Sequence, residues 1–104
     1  MAFNATLEIV GDEARITLEG ELDASVAPAF RDKVEQAASA HVAKLVVFMS
    51  GLSYMASAGL RGLIFAKQKM GASVEIVLVG LQDGVKETLE MTGFQHSVAI
   101  VDTY

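Results

Sequence analysis

The sequence predicts a single α/β domain with a mixed β-sheet, an N-terminal β-hairpin and helices packed on the sheet. Two alternating segments, Thr6–Val10 and Ala14–Leu18, flank the turn-forming pair Gly11-Asp12, which is typical of a hairpin. Two largely apolar runs, Lys44–Met49 and Val74–Val79, indicate strands buried within a sheet. Helical patterns lie between and after these runs, and this alternation is characteristic of a parallel sheet covered by helices.

The first predicted helix follows the polar turn that closes the hairpin. Phe30 and Val34 recur at helical spacing and define its buried side. Asp23 or Ser25 is expected to cap this helix, because both side chains can accept a hydrogen bond from a free backbone N–H. Pro28 is tolerated because it falls in the first turn, where no helical hydrogen bond is lost.

The remaining elements follow from similar patterns. A second helix is predicted from Ala58 to about Met70, with Gly71 as its C-cap. Val85, Leu89 and Met91 support a third helix, which Gly93 ends. A last strand is expected over Ser97–Val101. The sequence therefore predicts three helices arranged around one sheet.

Composition narrows the range of functions. The chain has 104 residues, a net charge of −5 and no cysteine, and 52% of its residues are hydrophobic. This hydrophobic content predicts strands covered on both faces, but no apolar run approaches the roughly 18 residues of a membrane span. The negative charge argues against nucleic acid or an anionic membrane as partner and fits a protein partner. The lack of cysteine and of a secretory signal pattern favours the cytoplasm.

The most informative position is Ser57, a hydroxyl between a buried strand and the second helix. A loop is expected over Ser50–Met55, and Ala58 opens the helix. Ser57 is therefore a candidate N-cap, close to backbone N–H groups that lack helical partners. Negative charge is favoured at such a place, so a phosphate on Ser57 would lie in a compatible field. From the residues alone, a simple helix cap and a phosphorylated switch both stay open.

Other site chemistry finds little support in the sequence. His41 and His96 lie far apart and no cysteine accompanies them, which argues against a metal site. The segment Gly80–Lys86 has the wrong glycine and lysine spacing for a Walker motif. Ser57 lacks the flanking glycine pattern of a serine hydrolase. We therefore expect no enzyme activity, no metal and no cofactor.

Three segments, Gly20–Asp23, Ser50–Leu60 and Leu89–Phe94, together resemble a STAS domain. The likeness covers residues 1–104. More narrowly, the chain resembles the stand-alone anti-sigma-factor antagonists of bacterial partner-switching systems. It implies that Ser57 is phosphorylated by a partner that is both an anti-sigma factor and a histidine-kinase-like serine kinase. It also implies that the unphosphorylated chain binds this partner, that phosphorylation releases it, and that a PP2C-type phosphatase restores it.

A partner-binding face around the serine follows from the same resemblance and from the position of the helix start. The residues expected on it are Asp23, Met55, Ala58, Gly59 and Arg61. For Met55, packing in the core is the alternative. Arg61 lies one helical turn after Ser57, so it is expected to contact the partner and to pair with a phosphate. An exposed arginine without a role is the alternative there.

Weaker candidates and departures from the family pattern complete the picture. Ser53 is a second candidate acceptor and Glu21 a second candidate partner contact, although both also fit a simple polar turn. Members of the family commonly carry Asp at the position of Ala56, and many carry Asp or Asn at the position of Phe48. Their absence removes polar groups that could position Ser57, but it also removes charge that would oppose a phosphate. A non-phosphorylated STAS scaffold subunit of a transport or signalling assembly is therefore the alternative function.

Overall fold

The hairpin at the start of the chain is the edge of a five-stranded mixed sheet in the computed structural model, which describes residues 3–104. The strands follow the order of the sequence across the sheet; the first pair is antiparallel and the others are parallel. The strands are β1 (Asn4–Val10), β2 (Glu13–Leu22), β3 (Lys44–Met55), β4 (Glu75–Val79) and β5 (Ala99–Val101). The helices are α1 (Ala27–Ser39), α2 (Ser57–Met70), α3 (Asp83–Glu90) and a 3-10 turn, Phe94–His96. The predicted fold class is confirmed.

A two-residue turn connects β1 to β2, as the sequence predicts. Gly11 has φ +62°, which suits the first position of a tight hairpin turn. The carbonyl of Asp12 accepts hydrogen bonds from the N–H groups of Ala43 (2.6 Å) and Lys44 (3.4 Å). The turn is therefore tied directly to the start of β3.

The helices lie on one face of the sheet and enclose the main core there. Fully buried side chains of the strands, such as Ile16 and Val47, pack with Phe30 of α1, Leu63 of α2 and Leu89 of α3. The buried residues of the opposite face form a separate cluster to which no helix contributes a side chain within residues 3–104. Strand residues are thus buried on both faces, as predicted, but helices cover only one of the faces within the described residues. None of the helices in this part of the chain has the length and hydrophobicity that crossing a bilayer requires.

Strand β3 is longer than the sequence predicts, because Ser50–Met55 continues it instead of forming a loop. This segment pairs with the end of β2, where Leu52 lies opposite Gly20 and Met55 opposite Leu22. Two register shifts accommodate it, each with one extra residue on the β3 side, and Gly20 of β2 has φ +92° there. The polar side chains that suggested a loop are on the exposed side of this extension.

Helix boundaries differ from the predicted ones by small amounts. Helix α1 starts after Val26, and neither Asp23 nor Ser25 caps it, because the Asp23 carboxylate bonds Ser25 instead. Gly71 ends α2 with φ +81°, as predicted. Met91 lies just beyond the end of α3 and is 86% exposed, so the prediction that its side chain supports this helix is wrong. The last strand is shorter than the Ser97–Val101 that was predicted.

Candidate functional site

Ser57 is exposed and is the first residue of α2, so the prediction that it is the N-cap is wrong by one position. The N-cap is Ala56, whose backbone is extended and whose carbonyl accepts the N–H groups of Gly59 (2.9 Å) and Leu60 (3.2 Å). The helix thus begins one residue earlier than predicted, and the Ala56 N–H donates to the carbonyl of Leu22 (2.9 Å), which ties the cap residue to the end of β2. The Ser57 hydroxyl makes no hydrogen bond within residues 3–104, so it is available to another molecule.

The start of α2 is electropositive. No acidic side chain lies in its first turn, and the N–H groups of Ser57 and Ala58 point away from the helix without a helical acceptor. Arg61, which is exposed, adds a full positive charge one turn further along. An anion at Ser57 would therefore meet a favourable field from the helix and from the guanidinium group.

Two of the residues expected on the partner-binding face are buried. Met55 is 2% exposed, and Gly59 is buried against it. A Cβ added at Gly59 would lie 2.7 Å from Leu22 Cγ and 2.9 Å from Met55 Cγ. Both residues therefore let α2 approach the ends of β2 and β3 closely, and neither presents a side chain to a partner. The core alternative for Met55 is the one that the structure has.

Asp23 lies beside the start of α2, because the Ala56 N–H donates a hydrogen bond to the carbonyl of the preceding residue, Leu22. It directly follows Leu22, just as Ser57 directly follows Ala56, and the Leu22–Ala56 hydrogen bond joins the two segments. Asp23 Oδ1 accepts hydrogen bonds from the Ser25 hydroxyl (2.6 Å) and from the Ser25 N–H (2.9 Å). The Ser25 hydroxyl is the main reason why the pKa of Asp23 is below its ordinary value. Asp23 is therefore ionised at neutral pH, and it lies on the segment that the Leu22–Ala56 bond joins to Ser57.

A groove of about 400 Å³ lies between α1 and the first turns of α2. It was not predicted from the sequence. It is lined by small side chains and by charged ones: Ala24, Ala27, Ala58, Arg31, Asp32 and Arg61. The Arg31 guanidinium lies 4.4 Å from the centre of the Phe65 ring, which holds it over the helix pair. The alanines that line it, Ala24, Ala27 and Ala58, have side chains too small to fill the space between the two helices.

The weaker candidates have structural roles. Ser53 is exposed, but its hydroxyl donates to the carbonyl of Gly20 (3.1 Å) and supports the β2–β3 pairing. Glu21 is half-buried and lies opposite Tyr54 in the sheet. Phe48 lies on the face of the sheet away from the helices, where its ring packs against Tyr104 with centroids 6.1 Å apart.

Metal-binding side chains are not assembled anywhere in the part of the chain that the structure describes. Residues 3–104 contain no group of three or more His, Asp or Glu side chains placed to hold an ion. The two histidines belong to different segments, His41 after α1 and His96 in the 3-10 turn.

Comparison with known proteins identifies the family. The model of the STAS domain family matches residues 4–104, and the chain belongs to this family. An anti-sigma factor antagonist from Mycobacterium paratuberculosis has a similar structure, with a TM-score of 0.90 and 20% identity, over 98% of this chain and 87% of that one. No curated protein sequence matches the chain significantly.

Two structures of the anti-sigma factor antagonist SpoIIAA are similar as well. The unphosphorylated form has a TM-score of 0.78 and 22% identity, over 97% of this chain and 90% of that one. The phosphorylated form from Bacillus has a TM-score of 0.71 and 20% identity, over 95% and 90% of the two chains. At these identities the likeness establishes a shared fold.

Proposed function

We propose that this chain is an anti-sigma-factor antagonist whose binding to a partner is switched off by phosphorylation of Ser57. The observation that carries the proposal is the Ser57 hydroxyl, which is exposed and makes no hydrogen bond within residues 3–104 at the electropositive start of α2. Membership in the STAS family and the fold shared with antagonists, one of them in a phosphorylated form, support it.

The partner is a protein that covers the start of α2. Ser57, Ala58, Arg61 and Asp23 are the residues of this surface that we expect it to contact. In line with the family resemblance, we infer that the partner is a histidine-kinase-like serine kinase that also acts as an anti-sigma factor. A PP2C-type phosphatase would reverse the modification, and both partners would be met in the cytoplasm. The chain itself acts by association and not as an enzyme.

Phosphorylation would act on the complex and leave the fold intact. A phosphate carries a charge of about −1.5 to −2 at neutral pH, and a helix N-terminus stabilises such a charge. Helix α2 would therefore keep its structure. In the complex the same charge would be buried against the partner without a matching group there, at a cost of about 2–5 kcal/mol. Binding would weaken by tens to thousands of fold.

Arg61 is expected to have a role in both the unphosphorylated and the phosphorylated chain. Because it lies one turn after Ser57, its guanidinium can bind the partner before phosphorylation and pair with the phosphate afterwards. This pairing would draw the phosphate back onto the helix surface and away from the partner. Arg61 would then contribute to release as well as to binding.

To test the proposal, the purified chain is incubated with ATP and with a kinase-like ATPase that is encoded close to its gene. We expect a mass gain of about 80 Da in the unmodified sequence and none in Ser57→Ala. Ser53→Ala is the matched control, because it removes an exposed serine from the same region and should still gain the mass. Phosphorylated chain should lose affinity for the kinase in calorimetry, and Arg61→Ala should bind the kinase more weakly before phosphorylation. Modification at Ser53, or unchanged affinity after modification of Ser57, would contradict the proposal.

A STAS scaffold subunit that is not phosphorylated is the second candidate, and Ala56 is the observation that favours it. A carboxylate at this position could help to position the serine and a metal-bound nucleotide, and alanine provides none. A scaffold would bind its assembly equally well with Ser57 or with Ser57→Asp. An antagonist would lose its partner when Ser57 is replaced by Asp.

A further inference from the structure

The outer edge of β1 is an open strand edge. β1 pairs with β2 on one side, and no strand within residues 3–104 pairs with its other side. Proteins usually protect an edge with charged residues, proline or a bulge, and the seven residues of β1 have only one of these features, the carboxylate of Glu8. Two apolar side chains near its end, Ile9 and Val10, are 44% and 43% exposed. At the opposite edge of the sheet, β5 has only three residues.

The hairpin geometry determines which backbone groups of β1 face outward. The turn has two residues, so the pair that flanks it, Val10 and Glu13, exchanges both of its backbone hydrogen bonds. Hydrogen-bonded and non-hydrogen-bonded pairs then alternate along the ladder. The N–H and C=O groups of Ala5, Leu7 and Ile9 are therefore directed away from β2. They are arranged to pair with another strand.

We propose that two copies of this chain associate by antiparallel pairing of their β1 strands, with a two-fold axis at Leu7. In this register Leu7 lies opposite Leu7 of the second copy, and Ala5 lies opposite Ile9 of the second copy. The outward-facing groups of both strands then meet, and each pair exchanges two hydrogen bonds. The two sheets form one continuous sheet, and the exposed part of Ile9 is covered.

The length and the charge of β1 together select this register, because Leu7 is the middle residue of the seven and an axis there pairs all of them. Glu8 is the only charged residue of the strand. With the axis at Leu7, Glu8 lies opposite Thr6 of the second copy, and the hydroxyl faces the carboxylate. An axis at Glu8 would bring two carboxylates directly opposite each other, which is destabilising. The pairing is independent of the proposed phosphorylation, because Ser57 follows β3, which β2 separates from β1.

Thr6 gives a direct test because it is exposed and its partner in this register is known. Thr6→Glu places two pairs of carboxylates opposite each other, so we expect the dissociation constant of the dimer to rise about tenfold in sedimentation equilibrium. Thr6→Lys places an ammonium group opposite each carboxylate and should tighten the dimer. The double variant Thr6→Glu/Glu8→Thr exchanges the two residues and should restore the original affinity.

The matched controls are Asn4→Glu and Asn4→Lys. They make the same changes in net charge on the same face of β1, but Asn4 lies opposite the uncharged Val10 of the second copy. Their effects should therefore be smaller than those at Thr6, and circular dichroism checks that every variant is folded. A chain that keeps the mass of one copy, 11.0 kDa, at the highest concentration would overturn the proposal. So would a shift in the same direction for both Thr6 variants.

Discussion

The two faces of the sheet are covered in different ways. On one face, three helices enclose a core in which Phe30 and its neighbours have no exposed surface. On the other face, three buried valines have no helix above them within residues 3–104, and long side chains lie around them. Among these, Tyr104 contacts Phe48, and its ring lies 5.8 Å from the Arg15 guanidinium and 5.5 Å from Lys44 Nζ. Amphipathic side chains can thus replace a layer of helices over a small apolar cluster.

The largest effect should come from comparing one phenylalanine on each face. Phe30→Ala removes a fully buried ring from the helix-covered core and should lower the free energy of unfolding by about 3–5 kcal/mol. Phe48→Ala removes a half-buried ring from the open face and should cost about 1–2 kcal/mol. Urea denaturation followed by circular dichroism measures both. Equal losses would show that the two faces are equally well packed.

A smaller effect should separate two glycines of the helices. A Cβ at Gly62 would lie 2.7 Å from Cδ2 of the buried Phe30 ring, whereas nothing lies within 4 Å of a Cβ at Gly84. Gly62→Ala should therefore destabilise the chain by about 1–2 kcal/mol, since the steric cost exceeds the gain in helix propensity. Gly84→Ala should stabilise it by about 0.5 kcal/mol. Thermal unfolding of the two variants tests this, and a stable Gly62→Ala would disprove close packing of α2 on α1.

The smallest effect concerns the pH dependence of the open face. The Tyr104 hydroxyl donates to Glu13, and this bond, followed by that from Arg15, lowers the pKa of Glu13 below 4.5. A lowered pKa adds stability above about pH 4.5, and this stability is lost as the pH falls through the folded-state pKa. Tyr104→Phe keeps the ring and removes the hydroxyl. Its deficit in unfolding free energy should be present at pH 7 and should shrink towards pH 3; a constant deficit would contradict the assignment.

Local patterns were sufficient to predict the architecture. The hairpin turn, the apolar strands and the C-cap at Gly71 depend on residues close together in sequence, and the structure confirms them. The extension of β3 through Ser50–Met55 was missed because its polar residues mimic a loop. Whether they pair depends on the end of β2, more than 30 residues earlier in the chain.

The candidate site was only partly predictable for the same reason. Ser57 was correctly expected at the start of a helix, but the cap position depends on the long-range bond between Leu22 and Ala56. The burial of Met55 and Gly59 likewise results from the packing of α2 against β2. The roles of Ser57, Asp23 and Arg61 in binding and phosphorylation stay predictions.

The unbonded hydroxyl of Ser57 has a consequence for how a signal would be stored. Since it takes no part in holding the helix, phosphorylation would break no bond of the native state, and the helix N-terminus would stabilise the added charge. The phosphorylated form would therefore be cleared by proteolysis no faster than the unphosphorylated form. The ratio of the two forms in a cell would then depend on the relative rates of the kinase and the phosphatase. Faster degradation of the phosphorylated form would not alter it.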